Sequence, residues 1–347
     1  MLVYWLMFLL PAVAALMMSK VDVGVQRLGL MFVCGALFIV VGFRYQVGCD
    51  WGAYEHHYDA TGYVTSWVDW RLVSTDPGYA LVNIVSAALG GGVVGVNLIC
   101  ALISLSGLYA FSRRQPNPFL AITIAIPYIV IVLFQGYTRQ AVAFGLELFA
   151  LSAIADGKLR KYVVMILLAA TFHKSAVVLL PLVALAGTRN RWWSVLWVGS
   201  ISVLAYITFL SEHQDRMWAA YVEENMQSSG GELRVIMNAL PAILLLFFRK
   251  HFRYHNELEK NVWFLLAVIS IVCIPLVSVA STATDRFALY LMPLQLFVLC
   301  RLNDVASFFK SVSSIAVITL YFFVQFVWLN YSHHAFCWVP YKSWLFE

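Results

Sequence analysis

The amino-acid sequence predicts an all-α polytopic membrane protein with about 12 transmembrane helices. The chain is 62% hydrophobic and 12% charged, with a mean hydropathy of +0.79. Soluble domains average roughly 45–50% apolar and about 25% charged residues. Apolar runs recur along the whole chain, and basic residues cluster in alternate connections between them. A soluble fold of this length has too little interior to bury the excess apolar surface.

The predicted spans are the apolar runs, some of them shorter than the ~20 residues that a perpendicular helix needs. Residues 2–18 lack a basic flank before them and a small-residue cleavage site after them, so we expect a first span rather than a signal peptide. The full set is 2–18, 28–43, 93–111, 118–134, 139–155, 161–172, 174–187, 192–210, 235–248, 261–283, 287–300 and 311–330.

The basic residues orient these spans. When the connections alternate between two sides, one side receives 15 of the 23 Lys and Arg residues, and every connection there carries at least two. The positive-inside rule makes that side cytoplasmic and leaves both termini outside. These residues are Lys20, Arg27, Arg113, Arg114, Lys158, Arg160, Lys161, Arg189, Arg191, Arg249, Lys250, Arg253, Lys260, Arg301 and Lys310.

Residues 78–90 form an apolar run of about 13 residues, too short for a regular crossing. A full crossing would also reverse the charge alternation that follows, so we expect an amphipathic or re-entrant helix that returns to the outer face. A tilted short crossing is the alternative. The chain is then a single integral membrane domain, 1–347, with outer segments 44–92 and 211–234, short outer loops and an outer C-terminal tail, 331–347.

The six cysteines show no metal-ligand spacing. Cys34, Cys100, Cys273 and Cys300 lie in or beside apolar runs, which is typical of small packing residues. Cys49 and Cys337 both fall on the outer side, where an oxidising compartment would permit a disulfide.

Four basic residues remain outside at the ends of predicted spans, near the depth of lipid headgroups: Arg44, Arg139, Lys174 and Arg286. Guanidinium groups bind phosphate oxygens in bidentate fashion, so this set predicts a diphosphate site. The alternative is snorkelling, in which each long side chain reaches the headgroups without a specific ligand.

Acids and a histidine supply further candidates. Glu147 shares a helical face with Arg139, about 12 Å deeper along the axis, and is expected to face the protein interior as a supporting residue. His173 is a candidate general base at a membrane boundary, and Asp50 competes with it. Asp50 could instead cap a short helix, and Asp285 could form an internal ion pair at a helix start.

Trp51, Tyr54 and Tyr58 offer rings for stacking on sugars, although an interfacial aromatic belt is the alternative. There is no D-x-D, H-E-x-x-H, P-loop or G-x-S-x-G motif and no nucleic-acid-binding module. No metal or cofactor is predicted. Basic residues on the outer plane without nucleotide or metal signals fit a lipid-diphosphate substrate.

Several blocks resemble the EpsG family of Wzy-like polysaccharide polymerases, in the same order along nearly the whole chain. They are Arg44-x-x-x-Gly48-x-Asp50-Trp51-x-x-Tyr54, Tyr137-Thr138-Arg139-Gln140-Ala141, Phe172-His173-Lys174-Ser175-Ala176, Asp285-Arg286-Phe287-x-x-Tyr290 and Val339-Pro340-Tyr341.

The resemblance implies a GT-C-like multispanning glycosyltransferase. Such an enzyme transfers a growing glycan from undecaprenyl diphosphate to a lipid-linked repeat unit at the periplasmic face of the bacterial inner membrane. The matching positions are Arg44, Asp50, Arg139, His173 and Arg286. The implied partners are the lipid-linked donor and acceptor, the bilayer and a chain-length regulator. An O-antigen ligase, a flippase or other transporter, and a membrane O-acetyltransferase are the competing functions.

Overall fold

The fold is all-helical: helices make up 81% of it, and the described residues contain no β-strand. The computed structural model describes residues 1–18, 21–66, 69–187, 191–209, 230–305 and 313–346. Lys20, Arg189, Lys310, Glu347 and positions 210–229, which make up most of the predicted outer segment 211–234, lie outside the described residues.

The helices follow one another with short connections. In chain order they are α1 Leu2–Met17, α2 Val23–Gly42, α3 Trp51–Asp59, α4 Trp70–Val73, α5 Pro77–Ala88, α6 Gly92–Ser112, α7 Pro118–Ala125, α8 Thr138–Ala155, α9 Leu159–Phe172, α10 Leu180–Ala186, α11 Arg191–Phe209, α12 Gly231–Phe248, α13 Glu257–Val279, α14 Ser281–Ala288, α15 Pro293–Leu299, α16 Leu302–Val305 and α17 Ser313–Tyr331.

Among the described residues, five helices are long and apolar enough to cross a membrane: α2, α6, α12, α13 and α17. Further apolar helices are shorter, including α1, α5 and the run Pro118–Phe134. The prediction of an all-helical polytopic membrane protein is confirmed, whereas the count of about 12 spans stays a prediction. Helix α5 is 12 residues long, which is about 18 Å against a hydrocarbon core of about 30 Å. That is the length expected of a re-entrant or amphipathic helix.

Apolar side chains cover both faces of the long helices. Helix α2 buries Leu30 and Leu37 but leaves Leu28 and Phe32 67% and 70% exposed. A helix that is apolar all round is typical of a membrane span rather than of a soluble bundle. The Asp22 side chain begins the helix by accepting a hydrogen bond from the Gly24 amide at 2.7 Å.

The chain forms two compact units. The first unit contains Met1–Leu148, Thr171–His173 and Ser314–Glu347, and the second contains Phe149–Ala170 and Lys174–Ser313. Both α8 and α9 therefore contribute residues to each unit.

The core of the first unit is the continuous run Pro118–Phe134. It starts as α7, where Asn117 caps the Leu120 amide and Pro118 occupies the first helical position. It continues as the π-helical stretch Ile126–Phe134, in which every residue is buried. The helical backbone continues through Gln135 and Gly136 and breaks at Tyr137, before α8 begins. Wide π turns are uncommon and frequently lie at functional sites.

Helices α6 and α8 cross closely within the first unit. A Cβ atom at Gly107 would lie 2.0 Å from the Gly145 carbonyl oxygen, and one at Gly145 would lie 2.6 Å from the Ser104 Cα. Only glycine permits this contact between backbones, as in other small-residue crossings of membrane helices.

The second unit is organised by the α12–α13 pair, against which α14 packs. Helix α13 begins with an Asn256 cap on the Glu259 amide at 2.8 Å, and Glu259 accepts a hydrogen bond from the His255 amide at 2.6 Å. This reciprocal arrangement satisfies backbone groups on both sides of the helix start. Beside it, the rings of Trp263 and Phe297 stack with centroids 4.2 Å apart.

Candidate functional site

Arg44 lies in the loop after α2, and two of its nitrogens donate hydrogen bonds to oxygen atoms of the protein. Its Nη1 donates to the Val41 carbonyl at 2.6 Å, and its Nη2 donates to Thr138 Oγ1 at 2.7 Å. The first bond satisfies a carbonyl that the end of α2 leaves open. Only 1% of Arg44 is exposed, and its Nε has no hydrogen-bond partner among the described residues. Arg44 therefore ties the end of α2 to the first residue of α8.

Arg139 lies next to that anchor and forms an ion pair with Asp76. Its Nη1 donates to Asp76 Oδ2 at 2.8 Å. The Arg139 side chain is 33% exposed, whereas that of Asp76 is 5% exposed. Asp76 directly precedes Pro77, the first residue of α5, so the start of α5 meets the start of α8 through this pair. About a third of the Arg139 side chain remains accessible.

Aromatic side chains surround the pair. The Tyr54 hydroxyl accepts a hydrogen bond from the Arg139 backbone amide, and burial raises the pKa of Tyr54 to about 12. The Tyr54 and Tyr79 ring centroids lie 5.8 Å apart, and those of His57 and Tyr79 lie 5.7 Å apart. These rings shield the Arg139–Asp76 pair from much of the surrounding water.

His57 also holds the outer segment together through a hydrogen bond between its Nδ1 and the Val73 carbonyl. Because a carbonyl can only accept, Nδ1 carries the proton. Burial of the half-buried ring lowers the pKa of His57, which outweighs the opposite effect of this hydrogen bond. His57 is therefore neutral at neutral pH.

Residues 171–173 belong to the same unit and pack against the start of α5. A Cβ atom at Gly78 would lie 2.5 Å from Thr171 Oγ1 and 2.9 Å from the Phe172 ring. Thr171 and Phe172, which directly precede His173, therefore pack against a glycine that follows Asp76 of the ion pair by two residues. His173 itself is half-buried.

The C-terminal tail is fastened over the loop that follows α2. Cys49 and Cys337 form a disulfide, the pairing that the predicted outer placement of both residues permits. Backbone hydrogen bonds join Gly48 to Cys337 at 2.8 Å and Tyr45 to Lys342 at 3.0 Å. Gly48 has a φ of +99° and lies against Gly136, an approach that a side chain would block. The tail therefore fixes the conformation of the loop that carries Arg44.

Trp338 anchors this tail to the core. Its indole lies on Gly136, where a Cβ atom would be 2.4 Å from Cζ2, and its Nε1 donates to the Ile131 carbonyl at 2.7 Å. That carbonyl belongs to the π-helical stretch. Trp338 of the tail therefore packs against the break between Phe134 and Thr138, which directly precedes Arg139.

The remaining predicted residues of the first loop differ in exposure. Asp50 is exposed and occupies the N-cap position of α3, but its side chain makes no capping hydrogen bond. Trp51 and Tyr54 are 7% and 6% exposed, so their ring faces are largely covered, whereas Tyr58 is half-buried. Of the three predicted glycan-binding rings, Tyr58 is therefore the most accessible.

Glu147 faces the interior, as its helical spacing from Arg139 predicts. It is 1% exposed, and neither carboxylate oxygen has a hydrogen-bond partner among the described residues. An unpartnered buried acid is costly to stability, which makes Glu147 an unusual residue of α8.

In the second unit, Lys174 is half-buried and Arg286 is exposed. Asp285 forms a bidentate ion pair with Arg234, whose Nε and Nη2 both donate to the carboxylate. Ser175 Oγ and the Tyr290 hydroxyl lie 3.1 Å apart. The segment that begins at Lys174 and the segment Asp285–Tyr290 therefore meet within this unit.

Several residues of these clusters were not predicted as site residues from the sequence. Asp76 precedes Pro77 and Gly78 and was not distinguished from an ordinary helix start. The sequence signal for Arg234 was that the predicted topology leaves this basic residue on the outer side. Thr138 lies in one of the blocks that resemble the family but was not assigned a role. The others are Tyr79 and His57, for which the sequence offered no specific signal.

A family model described as the EpsG family matches residues 27–343, nearly the whole chain. No curated protein matches the chain, and no solved structure does. The match includes Arg44, Arg139, Asp76, His173 and Arg286.

Proposed function

Because the chain belongs to the EpsG family of Wzy-like polysaccharide polymerases, we propose that it elongates a lipid-linked glycan. The growing chain would move from undecaprenyl diphosphate to the next lipid-linked repeat unit at the periplasmic face of the inner membrane. The proposal includes a GT-C-type architecture with about 12 spans and a reaction that uses no metal. The lipid bilayer and a chain-length regulator are the expected partners.

The observation that carries this proposal is the partly exposed Arg139 side chain, whose guanidinium is oriented by Asp76 beside buried aromatic rings. Glycosyl transfer from a lipid diphosphate builds negative charge on the leaving diphosphate. A cation fixed before the reaction stabilises that charge, and such preorganised electrostatic effects are often the largest in catalysis. Arg139 would bind the diphosphate, while Asp76 would keep the guanidinium in the productive orientation.

Arg44 would act through protein contacts rather than through direct exposure to substrate. Its burial and its bond to Thr138 suit it to fixing the start of α8, and so the position of Arg139. Its Nε, which has no hydrogen-bond partner among the described residues, is one of the donors it retains for a phosphate oxygen. As buried residues, Glu147 would support the first unit and Asp285 the second.

Two residues remain candidates for the general base. His173 lies on the segment that packs against Gly78, two residues after Asp76, and a histidine can accept a proton near neutral pH. Asp50 is exposed on the neighbouring loop. In either case the base takes the proton from the acceptor sugar hydroxyl while that oxygen bonds to the anomeric carbon and the diphosphate departs. His173 is the base that we propose, and Asp50 is the alternative.

Lys174 and Arg286 supply cations in the second unit and would bind diphosphate oxygens there. Tyr58, and Trp51 and Tyr54 at their exposed edges, would contact sugar rings. These roles follow from residue chemistry and exposure.

The proposed outer placement of the site rests on two independent features. Disulfides persist in oxidising compartments such as the periplasm, and the Cys49–Cys337 bond lies beside the Arg44 loop. The distribution of basic residues places the same loop on the side opposite the cytoplasm.

The function is tested by supplying purified protein with a labelled lipid-linked repeat unit and one of two acceptors. We expect a ladder of longer lipid-linked glycans with a second repeat unit and no product with lipid A core. Product only with lipid A core would identify a ligase. Transfer of the lipid-linked unit across a vesicle membrane without elongation would identify a flippase.

A further inference from the structure

The loop between α12 and α13 borders a cavity of about 560 Å³. This volume is within the range of ligand-binding pockets, roughly 300–1,000 Å³. Its walls include three cationic side chains, Arg249, Lys250 and Lys260, and one acidic side chain, Glu257. The cavity lies in the second unit and is separate from the residues proposed for glycosyl transfer.

The nearby carboxylates are already engaged by neighbouring groups. Glu257 accepts from Lys260 at 3.0 Å, and Glu259 accepts from the His255 ring at 3.0 Å. Arg249 and Lys250 are both exposed, and in the part of the chain that the structure describes neither of them forms an ion pair. The cavity therefore presents two cations that are available to an anion.

An apolar surface adjoins these cations. Phe247 is 80% exposed and Phe264 is 36% exposed, and the Arg249 guanidinium lies over the Phe264 ring at 5.0 Å from its centroid. Both flanking helices are long and apolar enough to cross a membrane, so we expect the loop to lie where such helices meet the headgroup layer. A cationic cavity beside exposed apolar rings is complementary to an amphiphile with an anionic head.

We propose that this cavity binds the phosphate headgroup of an anionic phospholipid, with its acyl chains along Phe247 and Phe264. Basic pockets between membrane helices on the cytoplasmic side are suited to such headgroups. The charge distribution along the sequence places this loop on the cytoplasmic side. Inorganic phosphate carries a similar anionic group but has no acyl chain that could contact the apolar rings.

The test uses the purified full chain in detergent, titrated with phosphatidylglycerol, phosphatidylcholine or inorganic phosphate while retained lipid is counted by native mass spectrometry. The Arg249→Gln/Lys250→Gln variant should bind phosphatidylglycerol at least about tenfold more weakly than the unaltered protein. The Arg160→Gln/Lys161→Gln variant removes the same charge from exposed residues of the same unit and the same predicted side, and should keep its affinity.

Unchanged affinity in the cavity variant overturns the proposal, as does equally tight binding of phosphatidylcholine. A full response to inorganic phosphate at similar concentration also overturns it, because the site would then take free phosphate. Thermal midpoints without lipid establish whether the double variant folds. If it does not, Lys250→Gln alone is decisive: a several-fold loss supports the proposal, and no loss contradicts it.

Discussion

Asp76 orients Arg139, a partly exposed cation of the first unit. Its carboxylate is nearly buried and bonds to one terminal nitrogen of Arg139, whose side chain is partly exposed. An aspartate in this position supplies both a charge and a fixed acceptor for the arginine fork. The orientation of Arg139 therefore depends on a residue that need not touch the substrate.

Replacing Asp76 by Asn is expected to lower kcat for glycan elongation by about 10- to 100-fold, because the guanidinium loses its charged partner. Asp76→Glu should recover part of the activity. Asp69→Asn is the matched control: it removes a carboxylate from the same segment, where Asp69 accepts hydrogen bonds from the Thr65 and Ser66 amides. Steady-state elongation rates check this, and equal loss in the Asp69 variant would contradict it.

His57 predicts a pH dependence of stability. Its folded pKa lies below the ordinary value of about 6.5, so as the pH falls below that value the unfolded chain binds a proton that the folded chain does not. The free energy of unfolding should therefore decrease from about pH 7.5 to about pH 5.5.

The His57→Gln variant keeps a donor for the Val73 carbonyl but cannot titrate, so its thermal midpoint should vary less over this range. His56→Gln alters the exposed neighbour and should retain the pH dependence of the unaltered protein. An identical decline in both variants would show that the effect arises elsewhere.

At the level of single residues, the sequence identified Arg139 through its place at the end of an apolar run. It identified the interior position of Glu147 through helical spacing. It did not identify Asp76, because an aspartate before Pro77 also has an ordinary interpretation as a helix start. Nor did it predict that Arg44 would be buried, because an arginine in a loop beside a membrane span is equally compatible with an exposed position. Pairings over 63 residues, such as Asp76 with Arg139, depend on tertiary contacts that local patterns do not encode.

At the level of elements, the α6–α8 crossing holds α8, and so Arg139, against the rest of the first unit. Gly107→Ala would push a methyl group into the Gly145 carbonyl and should cost about 1–3 kcal/mol or more of folding free energy. Gly35→Ala in α2 meets no atom within 4 Å and should be neutral or stabilising, by up to about 1 kcal/mol. Thermal or denaturant unfolding in detergent compares the two, and equal effects would contradict this crossing.

The disulfide joins the C-terminal tail to the loop between α2 and α3 across 288 residues of sequence. Cys49→Ser/Cys337→Ser should lower stability by about 2–5 kcal/mol and reduce elongation, because the Arg44 loop loses its cover. Cys34→Ala removes an unpaired buried thiol and serves as the control. Mobility on non-reducing gels should change with reductant in the Cys34 variant but not in the double variant. An unpaired thiol at position 49 in the unaltered protein would refute this role.

The elements were predicted unevenly. Long apolar runs such as Val23–Gly42 and Gly92–Ser112 were evident, because hydropathy alone marks them. The short helix Pro77–Ala88 was anticipated from its length. The π-helical stretch Ile126–Phe134 and the anchoring of the tail by Trp338 were not, since both depend on packing against distant segments.

On the scale of the whole molecule, the chain is an all-helical membrane protein of the EpsG family with two compact units. The single membrane domain and the roles of the site residues stay predictions. The first unit contains Arg44, Asp50, Arg139 and His173, and the second contains Lys174 and Arg286. Composition was sufficient to predict the class, because 62% hydrophobic residues exceed what a soluble core can bury.

The most direct measurement is elongation of an undecaprenyl-diphosphate-linked repeat unit by purified Arg139→Ala, His173→Ala and Arg286→Ala variants. The control is Arg71→Ala, at an exposed arginine of α4 outside both clusters. Preorganised cations and a general base predict losses of about 100-fold or more in the three variants, with the control close to the unaltered protein. Near-normal elongation by all three, in protein that folds normally, would contradict diphosphate stabilisation and base catalysis by these residues.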